Sequence, residues 1–272
     1  VRKKIKDKIA IIGCGNIGSS IAKGLLESKL INPSALTLTK RNLSVLNEFE
    51  EKGCKVTSDN LKAVASSGII ILAITPQITD KILNQIKEKL DEKKHIILSI
   101  ITGVEIAHIK NIIGNVPVVR VMPNTAIAIR ESMTCISADK EDSAALEAAK
   151  MIFDTVGKTA VINEDLMVPA TALVACGIAF FLRAIRAAGQ GGTQIGFHAE
   201  DAIMMAAQTA KGAASLLVDR GLHPEREIDK VTTPQGLTIS GLNQMEHNGF
   251  SSAMIKGIVT AADHANTIFN KD

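Results

Sequence analysis

A glycine loop, Gly13-Cys14-Gly15-Asn16-Ile17-Gly18, follows a short β-branched run at 8–12 and opens a stretch, 17–30, whose apolar residues recur at three- and four-residue spacing. The loop alone is a weak signal, but a strand before it and a helix after it are the context it requires. There each glycine has its own task. Gly13 permits a tight turn, Gly15 lets the backbone approach a pyrophosphate, and Gly18 lets helix and strand pack closely. The helix start, with Asn16 and Ile17, then offers N–H groups and a partial positive charge to an anion. The loop reads as the cradle of a dinucleotide; the plain alternative is a glycine turn without a ligand.

The rest of the front half keeps to that strand-and-helix alternation. Strand candidates lie at 8–12, 35–39, 55–57, 69–74, 95–100 and 118–122, with two more at 133–137 and 158–161. Amphipathic stretches at 17–30, 44–52, 79–90, 104–113 and 143–153 lie between them. After Asn163 the β-branched runs stop, and alanine, leucine, methionine and glycine take over. Helices are expected at 168–188, 198–220, 237–245 and 250–267. Gly189, Gly191, Gly192 and Gly196 are expected to end the first of these, and Gly221 with Pro224 the second. The expected fold class is therefore an α/β Rossmann domain, with a parallel-rich doubly wound sheet, followed by an all-α helical domain. A length of 272 residues accommodates both, as a dinucleotide-binding domain over 1–163 and a helical substrate-binding and dimerisation domain over 164–272.

The end of the second strand decides between cofactors. Enzymes that use NAD place an Asp or Glu there to accept from the adenosine 2′-hydroxyl. Here the place reads Thr39-Lys40-Arg41-Asn42, and no acid occurs between Glu27 and Glu48. A cationic pocket suits a 2′-phosphate, with the Arg41 guanidinium as a two-donor fork beside Lys40. NADPH is the expected cofactor, with NADH as the alternative; a merely solvated turn at Lys40 and Arg41 would leave the missing acid unexplained.

Composition narrows the chemistry. The net charge of +3 is dispersed apart from a basic start at Arg2, Lys3, Lys4 and Lys6, so no nucleic-acid partner is indicated. The four cysteines are scattered, with no CxxC and no histidine at ligand spacing, which points to reduced thiols, a cytoplasmic location and no metal. The uncharged stretch 166–182 falls just short of a bilayer span and contains Pro169 and Gly177, so a helix buried between domains or subunits is expected rather than a membrane segment. With no tyrosine and no tryptophan, every mechanism that needs a tyrosine acid or base is excluded. His95, His108 and His223 sit in strand, helix and turn contexts that suit structural or solvated roles. His198-Ala199-Glu200 has the form of a deaminase HxE but lacks the CxxC that must follow.

Near the carboxyl end, the segment Thr233-Pro234-Gln235-Gly236-Leu237-Thr238 is a turn rich in hydroxyls and glycine that leads into a helix. Pro234 and Gly236 fix the turn, and the helix start presents N–H donors beside the hydroxyls of Thr233 and Thr238. Such a place can bind a small anion, although a simple helix cap has the same appearance.

With this turn the chain resembles the Δ1-pyrroline-5-carboxylate reductase family nearly end to end. The matching pieces are the glycine loop, Asp59-Asn60, Ala73-Ile74-Thr75-Pro76-Gln77, Ser99-Ile100-Ile101-Thr102-Gly103-Val104, Arg120-Val121-Met122-Pro123-Asn124-Thr125, Ala206-Ala207-Gln208-Thr209 and the Thr233–Thr238 turn. The Val-Met-Pro-Asn-Thr and Thr-Pro-x-Gly-x-Thr pieces are far more specific than the glycine loop. The resemblance implies that Asn60, Ala73, Thr75, Pro76 and Asn124 border the dinucleotide. It implies that Thr233, Gly236, Leu237 and Thr238 hold the carboxylate of a cyclic imine, with the catalytic Thr238 hydroxyl at the ring nitrogen. It also implies a homodimer or a ring of dimers. The chemistry asks little of the protein, because a protonated imine is already electrophilic and the cofactor supplies the hydride.

The chain departs from the family in three places. Val174-Ala175-Cys176-Gly177-Ile178-Ala179 replaces the usual Ser-Gly-Ser-Gly-Pro-Ala, Thr75 replaces a lysine, and Gln235-Gly236 replaces a double glycine. These leave two competitors in view. One is a non-catalytic NADP(H)-binding sensor derived from the reductase. The other is a hydroxyacid dehydrogenase of the 6-phosphogluconate type, which relies on a helical lysine followed four residues later by asparagine. Between Lys158 and Lys230 the chain has Lys211 alone, followed at that spacing by Ser215.

Overall fold

The computed structural model describes residue 5 and residues 7–269, the side chains of Ile268 and Phe269 excepted. The basic start at Arg2, Lys3, Lys4 and Lys6 lies outside the described residues. The chain divides into two compact units, residues 1–175 with 264–272, and residues 176–263.

In the first unit eight strands form one sheet: β1 (Ile9–Ile12), β2 (Leu36–Thr39), β3 (Lys55–Thr57), β4 (Ile69–Leu72), β5 (Ile96–Ser99), β6 (Val118–Met122), β7 (Ser132–Ala138) and β8 (Gly157–Val161). Their order is β3-β2-β1-β4-β5-β6-β7-β8. The first six run parallel; β7 reverses against β6, and β8 follows β7 in parallel. Because the connections run one way from β1 to β3 and the other way from β4 onward, the switch point falls between β1 and β4.

Six helices wrap the sheet: α1 (Asn16–Glu27), α2 (Asn47–Glu51), α3 (Asn60–Ala65), α4 (Thr79–Ile86), α5 (Ile106–Ile113) and α6 (Ser143–Phe153). The period-two alternation of each strand sorts them onto opposite faces. Ile9 and Ile11 join Leu36, Leu38, Ile69 and Ile71 in one core with Ile21 and Leu25 of α1, Phe49 of α2 and Phe153 of α6. Ala10 and Ile12 join Ile70, Leu72 and Val118 in the other, with Val64 of α3, Leu83 of α4 and Ile109 of α5. The sheet is doubly wound, and its near-continuous apolar strands are those of a sheet covered on both sides. The composition change after Asn163 precedes the division between the units. Residues up to 175 continue as a 3-10 turn (Glu164–Leu166), α7 (Met167–Ala170) and the start of a π-helical turn (Thr171–Cys176), and they group with the first unit.

The second unit is helical: α8 (Gly177–Gln194), α9 (Ala199–Arg220), α10 (Pro224–Lys230), α11 (Leu237–His247) and most of α12 (Phe250–Phe269). Gly221, at φ 62, closes α9 with a left-handed residue, as expected from the sequence. Gly189, Gly191 and Gly192 do not end α8, contrary to the expectation; the helix runs through them, and Gly196 follows at φ 113. Packing supplies the reason. A β-carbon on Gly189 would lie 3.0 Å from Ile203 Cδ1, and one on Gly192 would lie 3.0 Å from Ala202 Cβ. The glycines let α8 and α9 approach each other, a gain that outweighs their low helix propensity.

Candidate functional site

In the first unit the candidate residues gather at the carboxyl ends of the parallel strands. Gly13 takes φ 85, and a β-carbon there would meet Ala73 O at 2.7 Å and Ile74 Cγ2 at 2.6 Å. The turn therefore needs glycine for both its dihedral and its space. Gly18 packs toward β1, with a β-carbon position 3.2 Å from Ile11 Cγ2. Gly15 is different: a β-carbon there would meet only Gly13 O, at 4.0 Å, so the space above it is open to a ligand. Gly13 and Gly18 thus serve the tight turn and the close helix–strand contact expected of them.

Gly15 is also the N-cap residue of α1, which starts with no side-chain cap and no acid in its first turn. The N–H groups of Asn16, Ile17 and Gly18 belong to the set that a helix start leaves without intrahelical partners. With the macrodipole they make an anion-receptive surface. This open cradle fits a dinucleotide diphosphate.

The neighbouring loops complete the rim. Ala73 N–H donates to Ile12 O (2.8 Å), tying the end of β4 to the end of β1 at the switch point. Thr75 then stands, without a side-chain cap, at the head of a 3-10 turn begun by Pro76. At the end of β2, Lys40 is half-buried and Arg41 exposed, and neither forms an ion pair among the described residues. Glu48, the first acid after them, is held by Lys23 (3.0 Å) and Lys52 (2.7 Å). Burial pushes the Cys14 thiol up, against a hydrogen bond with Ser19 and the positive charge of Lys40, which favours the protonated thiol.

Asn124, at the end of β6, is buried and anchored on three sides. Its N–H donates to Ser132 Oγ (3.2 Å), its Oδ1 accepts from Ala126 N–H (3.1 Å), and its Nδ2 reaches Val174 O (3.4 Å) in the π-helical turn. It borders a cavity of about 180 Å³ lined also by Ile17, Thr102, Gly103, Thr171 and Ala175. The departing stretch around Val174 thus contributes to the wall of a cavity at the first turn of α1. Arg120 lines the same cavity, and its Nη1 pairs with Glu164 at 3.2 Å. Glu164 also accepts from Ile106 N–H at 2.8 Å, at the start of α5. Sequence reasoning singled out neither that pair nor the cavity, because the partners lie far apart in the chain.

The substrate-turn candidates lie in the second unit. Gly236 N–H donates to Thr233 O at 2.9 Å, closing a β-turn with Pro234 second and Gln235 third. Gln235 has φ 58, the positive value that the third position of a type II turn demands. This is the place at which the sequence departs from a double glycine. A β-carbon on Gly236 would lie 2.3 Å from Thr233 Oγ1. Gly236 is then the N-cap residue of α11, which has no side-chain cap and no acid in its first turn. Leu237, the first residue of α11, is 94% exposed, and its N–H and that of Thr238 belong to the set a helix start leaves without intrahelical partners.

Comparisons with known proteins agree with both halves. Residues 8–103 match the family model described as NADP oxidoreductase coenzyme F420-dependent, and residues 164–268 match that described as pyrroline-5-carboxylate reductase dimerisation. The chain is 52% identical over 97% of its length to pyrroline-5-carboxylate reductase 1 of Dictyostelium discoideum, and spans 50% of that protein. It is 47% identical to pyrroline-5-carboxylate reductase 2 of the same organism, over 96% of this chain and 92% of that protein. Among solved structures, a pyrroline-5-carboxylate reductase from Coxiella burnetii superposes with a TM-score of 0.93 at 26% identity, covering 98% of this chain and 100% of that one. The glycine cradle, the Thr233–Gly236 turn and 47% identity over 96% of this chain and 92% of such a relative have one common source: the chain belongs to the pyrroline-5-carboxylate reductase family.

Proposed function

We propose that the protein reduces the cyclic imine 1-pyrroline-5-carboxylate to L-proline with NADPH. The observation that carries the reading is a pair of uncapped, acid-free helix starts, α1 behind the glycine loop and α11 behind the Thr233–Gly236 turn. One suits a diphosphate and the other a carboxylate. They occur in a chain 47% identical to a reductase of this name. When bound, NADPH supplies the hydride.

The residues divide the work. Gly13, Gly15, Asn16, Ile17 and Gly18 hold the diphosphate, and Lys40 and Arg41 hold the 2′-phosphate. Asn60, Ala73, Thr75, Pro76 and Asn124 border the rest of the dinucleotide. The backbone of Gly236, Leu237 and Thr238, with the Thr233 hydroxyl, holds the substrate carboxylate. The Thr238 hydroxyl hydrogen-bonds the ring nitrogen. Since a protonated imine is already electrophilic, these contacts serve to orient it, and no separate acid or base is required. Residues 1–163 act as the dinucleotide domain, and 164–272 as the substrate-binding and dimerisation domain.

A homodimer, with rings of dimers as the larger form, is supported by apolar surface on the second unit. Phe181, Leu182, Ile195 and Met204 are exposed on or next to α8 and α9, and a cavity of about 700 Å³ there is lined by Phe181, Ile185, Phe197 and Met205. The helical stretch Glu164–Gln194 is long and apolar enough to cross a membrane, and 17% of its most apolar 18 residues are buried within the chain. A second copy covering it accounts for this composition, in accord with the match of 164–268 to a dimerisation family. The free thiols of Cys14, Cys54, Cys135 and Cys176 support a cytoplasmic location.

The test is NADPH consumption with 1-pyrroline-5-carboxylate, followed spectrophotometrically. Turnover with proline as product supports the reading. Tight NADPH binding without turnover of any cyclic imine overturns it in favour of a sensor.

A further inference from the structure

Asn60 is held from both ends. Thr39 Oγ1 donates to Asn60 Oδ1 at 2.8 Å, and Asn60 Nδ2 donates to Gln85 Oε1 at 3.1 Å. Thr39 is the last residue of β2, Asn60 the first of α3, and Gln85 lies near the end of α4, so the chain of hydrogen bonds joins three elements. The neighbouring Asp59 is the residue that caps α3, its Oδ1 accepting from Lys62 N–H at 3.1 Å. Asn60 is thereby spared the capping role that its residue type commonly takes at a helix start.

Thr39 has a second task. Its carbonyl oxygen accepts from Cys14 N–H at 2.9 Å, and its hydroxyl oxygen accepts from Gly13 N–H at 3.4 Å. One buried residue therefore grips two successive peptide groups of the glycine loop while it orients Asn60. A carboxamide has two N–H donors and two acceptor lone pairs. The Thr39 and Gln85 bonds occupy one of each, leaving one N–H and one lone pair in a fixed plane.

We propose that Thr39 and Gln85 are positioning residues for the dinucleotide: they lock the Asn60 carboxamide so that its remaining N–H donates to an oxygen of the adenosine ribose or its phosphate and its remaining lone pair accepts from a ribose hydroxyl, while Thr39 sets the turn of the glycine loop. The inference rests on the reading of the 13–18 loop as the dinucleotide site. It places at the end of β2, where an acid would contact the ribose directly, a hydroxyl that acts through a neighbour instead.

The experiment measures the Kd for NADPH by fluorescence titration, alongside kcat and KM and the melting temperature of the free protein. The variants are Thr39→Val, Thr39→Ser and Gln85→Leu. Loss of one neutral hydrogen bond corresponds to roughly a 3- to 10-fold change. Gln85→Leu, on an exposed face, is expected to weaken NADPH binding about 3- to 10-fold with kcat at saturating NADPH within about 2-fold. Thr39→Val is expected to weaken it further, with Thr39→Ser restoring the wild-type Kd. Wild-type Kd values in both Gln85→Leu and Thr39→Val overturn the positioning role alone, and so does a Thr39→Ser variant as impaired as Thr39→Val. Should Thr39→Val fail to fold, an unchanged Kd in Gln85→Leu overturns the role by itself. A wild-type protein that does not bind NADPH overturns the cofactor reading and this inference with it.

Discussion

A β-carbon on Gly236 would lie 2.3 Å from the Thr233 hydroxyl oxygen and 2.9 Å from the Thr233 carbonyl oxygen. No side chain fits there without moving the turn that leads into α11. Gly236→Ala is expected to displace the helix start, raising KM for the imine at least about tenfold, the scale of one lost charge-assisted hydrogen bond. NADPH binding, proposed to lie in the other unit, should be unchanged. Gln235 holds φ 58 with a side chain that disfavours it. Gln235→Gly should therefore stabilise the protein by about 1 kcal/mol, the order of the left-handed penalty, read as a rise in melting temperature.

The Thr238 hydroxyl is the one side-chain group assigned to the reacting nitrogen. Thr238→Ala should lower kcat/KM about 10- to 100-fold, the range for a hydrogen bond to a charged group, and Thr238→Ser should recover most of it. Steady-state kinetics on all three proteins checks this. Unchanged rate and affinity in Thr238→Ala would remove the residue from the mechanism.

Arg41 stands exposed at the end of β2 with no ion-pair partner among the described residues, and Lys40 stands beside it. Arg41→Ala should raise KM for NADPH about tenfold or more while changing KM for NADH little, because only NADPH carries the 2′-phosphate. Parallel titrations with the two cofactors separate the outcomes. Equal effects would take Arg41 out of the phosphate pocket.

Burial pushes the Cys54 thiol up to about 11, from 9.0 in the open chain. Its folded form keeps the proton longer than its unfolded form, so its contribution to stability is complete below pH 9.0 and falls as pH rises toward about 11. Cys54→Ala should flatten the alkaline fall in stability, measured by urea unfolding across that window. In the native protein near neutral pH, Cys54 should resist alkylation until the chain is unfolded.

Most of the strands are legible in the sequence as short β-branched runs, and the cores show why: both faces of the sheet are covered, so no polar residue interrupts β1 or β4. The reversal of β7 is not legible, since direction leaves no mark on composition. Helices α3 and α10 are too short for periodicity to register, although Asp59 and Pro224 mark their starts. Gly189 and Gly192 mislead because a glycine run reads locally as a helix stop, whereas here Ala202 and Ile203 of α9 occupy the space that side chains would need. In the site, the roles expected of the glycines follow from their spacing together with the strand before them and the helix after them. The parts played by Thr39, Gln85 and the Arg120–Glu164 pair depend on hydrogen bonds between distant segments, which one sequence does not display.

Direct hydride transfer from NADPH to the imine can be read isotopically. The protein is supplied with 1-pyrroline-5-carboxylate and NADPH deuterated at the transferring position of nicotinamide C4, and the proline formed is examined by mass spectrometry and NMR. One deuterium per proline is expected, on the carbon that was the C=N carbon of the imine. Proline without deuterium, or cofactor retained unoxidised in the presence of the imine, would contradict the proposed reaction.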